Sequence, residues 1–115
     1  MPVNFHIPEA SEIKAVSGVK IGIASAGIKK AGKKDLTVFS FSPGTQVAGV
    51  FTKNRFCAAP VQICQQRLQA GNDIRALLIN TGNANAGTGQ DGMDRALLAS
   101  ATLAQELSLS EGQVL

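Results

Sequence analysis

Apolar and polar residues alternate with a period of two from Gly18 to Ala26: Val19, Ile21 and Ile23 fall on one side, Lys20 and Gly22 on the other. That period predicts a β-strand, because successive strand side chains point to opposite faces. Gly22 inside it marks a bulge or a close approach by another backbone. Gly27–Lys34, rich in lysine, reads as a turn. Asp35–Phe41 is a second strand, with Leu36, Val38 and Ser40 on one face and Thr37, Phe39 and Phe41 on the other. Ser42-Pro43-Gly44-Thr45 is a strong turn signal, since proline presets the first corner and glycine takes positive φ freely. A third strand is expected over Gln46–Thr52, hairpinned antiparallel to the second, with Ala48 and Gly49 small enough to admit another layer. Met1–Ser17, before all this, has no sustained period and reads as an irregular arm lying over a neighbour.

Lys53–Pro60 breaks the pattern. Val61–Ala70 then fits a short helix closed by Gly71 at the C′ position, although the alternation of Val61 and Ile63 leaves a strand start open. Gly71-Asn72-Asp73 is a turn. Arg75–Asn80 is a fourth strand, apolar on both faces through Ala76-Leu77-Leu78-Ile79 and therefore central in its sheet. Between Asp91 and about Ser108 the period lengthens: Met93, Leu97, Ser100, Ala104 and Leu107 recur at spacings of three or four, and Ala96, Ala99 and Leu103 widen the stripe. This is an amphipathic helix capped by Asp91 or a neighbour and laid on a sheet. Leu109–Gly112 is a turn, and Gln113-Val114-Leu115 looks like the opening of another strand. A domain rarely stops on entering a strand, so the chain is expected to be a piece of a longer α/β fold, with residues 1–17 as the arm and 18–115 as the domain.

Composition narrows the function. The 115 residues suffice for one domain with a modest core. Five Phe, no Trp and no Tyr argue against a stacking platform for nucleic acid. The net charge is +3, with Lys29, Lys30, Lys33 and Lys34 gathered in one segment. An anion patch and a solvated hairpin tip both fit that cluster, the second being the commoner use of such runs. Cys57 and Cys64 form no CxxC pair, and His6, the only histidine, lies far from them in the sequence, so no zinc site is expected. The cysteines read as free thiols of a reducing compartment. His6 reads as a surface residue. No apolar run approaches the roughly 18 residues of a membrane span, and no signal peptide opens the chain, so a cytoplasmic protein without a membrane partner is expected.

The candidate chemistry sits between the fourth strand and the long helix, in Asn80-Thr81-Gly82-Asn83-Ala84-Asn85-Ala86-Gly87-Thr88-Gly89. Loops that hand a strand to a helix collect function, because helix amides point outward and bare backbone can approach a ligand. Gly82 and Gly87 have the spacing of a Walker A loop, but Thr88 stands where the phosphate-reaching lysine belongs and Gly89 where Ser or Thr belongs. A G-x-G-x-x-G pattern is absent as well. Anion or nucleotide binding through Gly82–Gly89 therefore ranks as the alternative function. Asn80, Asn83 and Asn85 each offer donors and acceptors without charge. They either shape the loop, since Asn tolerates left-handed backbone, or contact a polar substrate; three in six residues exceeds what turn chemistry needs.

With Ala48-Gly49-Val50-Phe51-Thr52-Lys53-Asn54 and Ala58-Ala59-Pro60-Val61 preceding it, this loop resembles the N-terminal part of the bifunctional ornithine acetyltransferase / glutamate N-acetyltransferase family of arginine biosynthesis. Gly18-Val19, Ala26-Gly27-Ile28-Lys29 and Lys34-Asp35-Leu36 match in order. The resemblance runs from about Val16 to Leu115. It implies a layered α/β sandwich with a mixed, largely antiparallel sheet and flanking helices, incomplete without the rest of the precursor. It implies a precursor that cleaves itself before a threonine. That threonine, as the new N-terminus of the β chain, takes an acetyl group from N-acetylornithine and passes it to glutamate. Acetyl-CoA is a further acetyl donor for some members, no bound cofactor is implied, and the α and β chains assemble as α2β2. The family's oxyanion-hole Thr-Gly falls just past Leu115 and the nucleophile further on. No catalytic residue is assigned in this chain, which alone is expected to be inactive, and Asn80, Asn83 and Asn85 are assigned only as a near-site, substrate-facing loop.

Overall fold

The computed structural model describes residues 6–115. Residues 1–5 of the expected arm lie outside the described residues, and positions 6–17 are irregular and exposed, His6 included. Three strands follow from the alternating segments: β1 (Val19–Ala24), β2 (Leu36–Phe41) and β3 (Ala76–Asn80). They form an antiparallel sheet in the order β1-β2-β3. Val19 stands opposite Phe41, Ala24 opposite Leu36, and Leu36 in turn opposite Asn80. The free edge of β3 is occupied from the other side. Arg75 N donates to Gln113 O at 2.8 Å, Leu115 N to Ala76 O at 2.9 Å and Leu78 N to Leu115 O at 2.7 Å, a parallel pairing centred on Ala76 and Val114. β3 is thus flanked on both sides, as its doubly apolar sequence requires.

Two helices pack against each other, α2 also against β3: α1 (Ala59–Gln69) and α2 (Gly89–Glu106). α1 begins two residues before the expected start because Pro60, with its preset φ, fits the first turn. It ends as the sequence indicates, with Gly71 left-handed at φ +70° and its amide on Leu68 O. Residues Ala59, Ile63 and Arg67, four apart, are its buried edge. α2 likewise begins early, with Thr88 as N-cap and Asp91 in the first turn. Its packing stripe is narrower than the periodicity implies. Ser100 and Ala104 are buried, whereas Leu97 and Leu107 remain 40% and 37% exposed. Ala104 joins Ala76 and Val114 in the core, with Leu78, Leu103 and Leu109 packed around them. The turn after α2 is one 3₁₀ turn, Glu111–Gln113, entered through a bond from Ser110 N to Gln113 Oε1 at 3.0 Å. The resulting α/β arrangement is the class the sequence indicates.

The expected third strand over Gln46–Thr52 does not form. The turn before it does: Gly44 is at φ +81° and Thr45 Oγ1 donates to Ser42 O at 2.8 Å. But both edges of β2 are already taken, by β1 and by β3, so no ladder is open to the returning segment. The segment touches α1 instead. A β-carbon at Gly49 would stand 3.2 Å from Leu68 Cδ1, and Val50 is fully exposed.

Candidate functional site

β3 delivers Asn80 to the end of the sheet, and the loop between β3 and α2 turns there. Thr81 N donates to Asp35 O at 2.9 Å, which holds the loop's first residue beside the start of β2. Gly82 takes φ +96° and lies against Lys29, so a β-carbon there would stand 3.1 Å from Lys29 Cβ. Asn85 sits at φ +55°, and its Nδ2 donates to Asn80 Oδ1 at 2.8 Å. That bond ties the two limbs of the loop together. Gly87, at φ +68°, meets the ring of Phe56, to which a β-carbon would come within 2.7 Å.

The loop, α2's first turns, the inner edge of α1 and the end of the sheet enclose an open cavity of about 580 Å³. Asn80, Asn83 and Asn85 all line it, so the three asparagines singled out from the sequence converge on one space. Pro60, Ile63 and Cys64 supply the α1 side, Ala96, Ala99 and Ser100 the α2 side, and Leu36, Leu78 and Leu115 the sheet side. The space is mostly apolar with amide groups concentrated at the loop, the usual make-up of a small-molecule site.

Charge is arranged around this space with few uncompensated groups. Asp91 and Arg95, one turn apart on α2, both line the cavity and pair at 2.8 Å. Arg67, almost fully buried, donates to the carbonyl of Val114 and, at 3.1 Å, to Ser100 Oγ. Burial pulls its pKa below the ordinary value. Burial also pushes the Cys64 thiol up, which favours its protonated form. Across the rim, the Asp35 carboxylate accepts from Ala26 N at 2.6 Å and Ile28 N at 2.7 Å. These bonds, the one from Ala26 first, hold its pKa below 3.8. Ile28 then faces the cavity, while Lys30, Lys33 and Lys34 are exposed along the β1–β2 connection. Cys57 and Cys64 are free thiols. Among the described residues no cluster of His, Cys, Asp and Glu could hold a metal ion, and no helix is long and apolar enough to cross a membrane.

Two residues that organise this region were not singled out from the sequence. Arg67 had a visible signal, since it falls four residues after Ile63 and eight after Ala59, on the buried edge of α1. Asp35 had less, being one carboxylate at the edge of a lysine run; only the fold brings Ala26, Ile28 and Thr81 to it.

A model of the ArgJ family matches residues 20–115. Among solved structures, the chain is similar to the arginine biosynthesis bifunctional protein argJ of Bacillus halodurans, with 31% identity and a TM-score of 0.75 over 85% of this chain and 51% of that one. It is also similar to an ornithine acetyltransferase of Mycobacterium tuberculosis solved in complex with ornithine, with 36% identity and a TM-score of 0.80 over 85% of this chain and 53% of that one. The chain spans about half the length of these structures.

Proposed function

Since the chain belongs to the ArgJ family, we propose that it is part of an acetyltransferase of arginine biosynthesis, moving an acetyl group from N-acetylornithine to glutamate. The observation that carries this reading is that the family match, over residues 20–115, takes in every residue lining the cavity, from Ile28 to Leu115. The ornithine bound in the Mycobacterium tuberculosis relative fits a polar amino-acid substrate. A charge-neutral rim of asparagine amides beside an apolar wall suits the acetamide and methylene groups of N-acetylornithine.

In this reading the reaction is ping-pong. A threonine hydroxyl attacks the acetamide carbonyl, ornithine leaves, and the acetyl-threonine passes its acetyl group to the glutamate amine. Hydrogen-bond donors aimed at the carbonyl oxygen stabilise the tetrahedral intermediate. The nucleophile and those donors belong to the rest of the α chain and to the β chain, assembled as α2β2, and this chain supplies none of them. Its own contribution is the wall. Asn83 faces the substrate, while the Asn80–Asn85 bond keeps the loop in one shape. No bound cofactor is invoked; acetyl-CoA enters as an alternative acetyl donor.

The anion-binding alternative has a specific difficulty. Asp91 sits in the first turn of α2 and lines the cavity, so a carboxylate occupies the ground a phosphate would need. The test is acetyl transfer from N-acetylornithine to glutamate by this chain assembled with its partner segments, with acetyl-CoA as donor in a parallel reaction. Formation of ornithine and N-acetylglutamate in equal amounts supports the reading. An assembled protein that transfers from neither donor overturns it.

A further inference from the structure

We propose that the side of the sheet turned away from α2 is a docking surface, and that its occupant is an apolar layer supplied by the half of an ArgJ chain that this one does not span. The inference rests on membership of the family and not on the acetyl transfer.

The register defines the surface. In an antiparallel pair, residues opposite each other share a side of the sheet, and alternate residues along a strand return to it. Ile21 stands opposite Phe39, Val19 opposite Phe41, Ile23 opposite Thr37, and Thr37 in turn opposite Ile79. These residues therefore share one side. Ala76 and Leu78 fall on the other, where they join Ala104 of α2 in the core. The first side carries no charge, and Thr37 is the one polar residue among its strand positions. Ile21, Ile23 and Ile79 are 64%, 56% and 42% exposed. The rings of Phe39 and Phe41 stack among them with centroids 6.5 Å apart.

β2 shows that this side is built to be covered. Leu36 and Val38 point one way and Phe39 and Phe41 the other, so the strand is apolar on both faces. A sheet wetted on one side alternates apolar with polar residues, whereas doubly apolar strands belong to sheets covered on both. An exposed contiguous apolar patch marks a contact surface.

Length identifies the occupant. The two solved relatives match this chain over 51% and 53% of their own polypeptides, so in each the other half is joined covalently to the matched part. That linkage gives it a high effective concentration here, ahead of a second copy of this chain or an unrelated protein. The contacting side of that half is apolar, because a charge buried against this surface would find no partner.

The experiment uses this chain assembled with a segment corresponding to the unmatched half of its relatives, on a Cys57→Ser, Cys64→Ser background. Maleimide should label Lys20→Cys, on the opposite side of β1, at close to its rate in urea, and Ile21→Cys about tenfold more slowly than that reference. Ile79→Cys repeats the measurement from β3 should the first variant not assemble. A benzophenone amino acid at the position of Phe39 then identifies the occupant: irradiation should join it to a peptide of the added segment. Free labelling of both cysteines in the assembly overturns the docking surface, and so does a wild-type chain that binds no such segment. A cross-link to a second copy of this chain, or none at all, overturns the occupant. Neither readout depends on acetyl transfer, so an inactive assembly tests the surface as well as an active one.

Discussion

Replacing Arg67 by Met tests how the C-terminal segment is held against β3. Arg67 is 9% exposed, and its guanidinium has two partners, the carbonyl of Val114 and the hydroxyl of Ser100. Methionine keeps much of the stem and removes both donors. Ser100 loses little, because its hydroxyl also donates to Leu97 O at 3.0 Å. Val114 has no such reserve, since its residue is 0% exposed and its carbonyl accepts only from Arg67 among the described residues. A buried carbonyl left without a donor costs about 1–3 kcal/mol. An opposing effect is relief of the desolvated charge, which has made some buried ionic groups replaceable by apolar ones at no loss. Here the orphaned carbonyl lies in the backbone and cannot be substituted away, so the loss should win. At roughly 4 °C per kcal/mol for a domain of this size, the melting temperature should fall by about 4–12 °C. Lys in place of Arg can reach one partner and should lose about half as much. Circular dichroism melts give the size, and amide exchange gives the place. Leu78 and Leu115, which pair across this edge, should exchange faster, while the amides between β1 and β2 should not. A melt within about 1 °C of wild type, or a stabilised variant, would refute the reasoning.

Asn85→Ala should cost about 1–2 kcal/mol, from the lost Asn80 bond plus alanine's poorer tolerance of the left-handed backbone that asparagine accepts; Asn85→Gly loses the bond but relieves the backbone and should be milder, and equal melts for the two would rule out strain at this position. Gly87→Ala should cost about 1 kcal/mol from its φ of +68°, because the exposed Phe56 ring can swing aside. Adding Phe56→Ala should recover little of it, and full recovery would show that the clash dominates instead. Asp35 has a folded pKa below its unfolded value, so its stabilisation is present above about pH 4 and is lost as pH falls through the folded value. Asp35→Asn should accordingly flatten the acid limb of a melting-temperature profile and lower its neutral plateau; an acid limb as steep as that of the wild type would show that other groups set it.

The strands and helices around the cavity were legible because their patterns were local. Val19, Ile21 and Ile23 announce β1 by alternation, and Pro60 and Gly71 bracket α1. The unbroken apolar run Ala76–Ile79 announces a strand with neighbours on both sides. What failed was competition. The apolar run Val47–Phe51 after the Pro43-Gly44 turn reads as a returning strand, but whether one forms depends on a free edge, and β2 had none left. The α2 stripe was overdrawn for a related reason: periodicity marks the residues able to face a partner, and Leu97 and Leu107 stay over a third exposed. Within the site, the asparagine loop stood out by composition, and its convergence on one cavity followed from the strand-to-helix position. Asp35 did not stand out because its side-chain partners are the backbone amides of Ala26 and Ile28, which no residue type reveals, and Arg67 did not because its partners lie far along the chain. The bond from Arg67 to Val114 spans 47 positions and the one to Ser100 spans 33.

Asp35 also sets an order of assembly. Its side chain reaches back only nine and seven positions, to Ala26 and Ile28, and these short loops close early and at small entropic cost. Its carbonyl waits for Thr81, which arrives only after α1 and β3 have been made. During synthesis the Ile28 side of the mouth can therefore mature on the ribosome while the asparagine side is still inside the tunnel. Slow or mispaired docking of β3 would leave a well-formed hairpin with half a mouth, a species that keeps its first strands protected yet offers nothing for a ligand to enter.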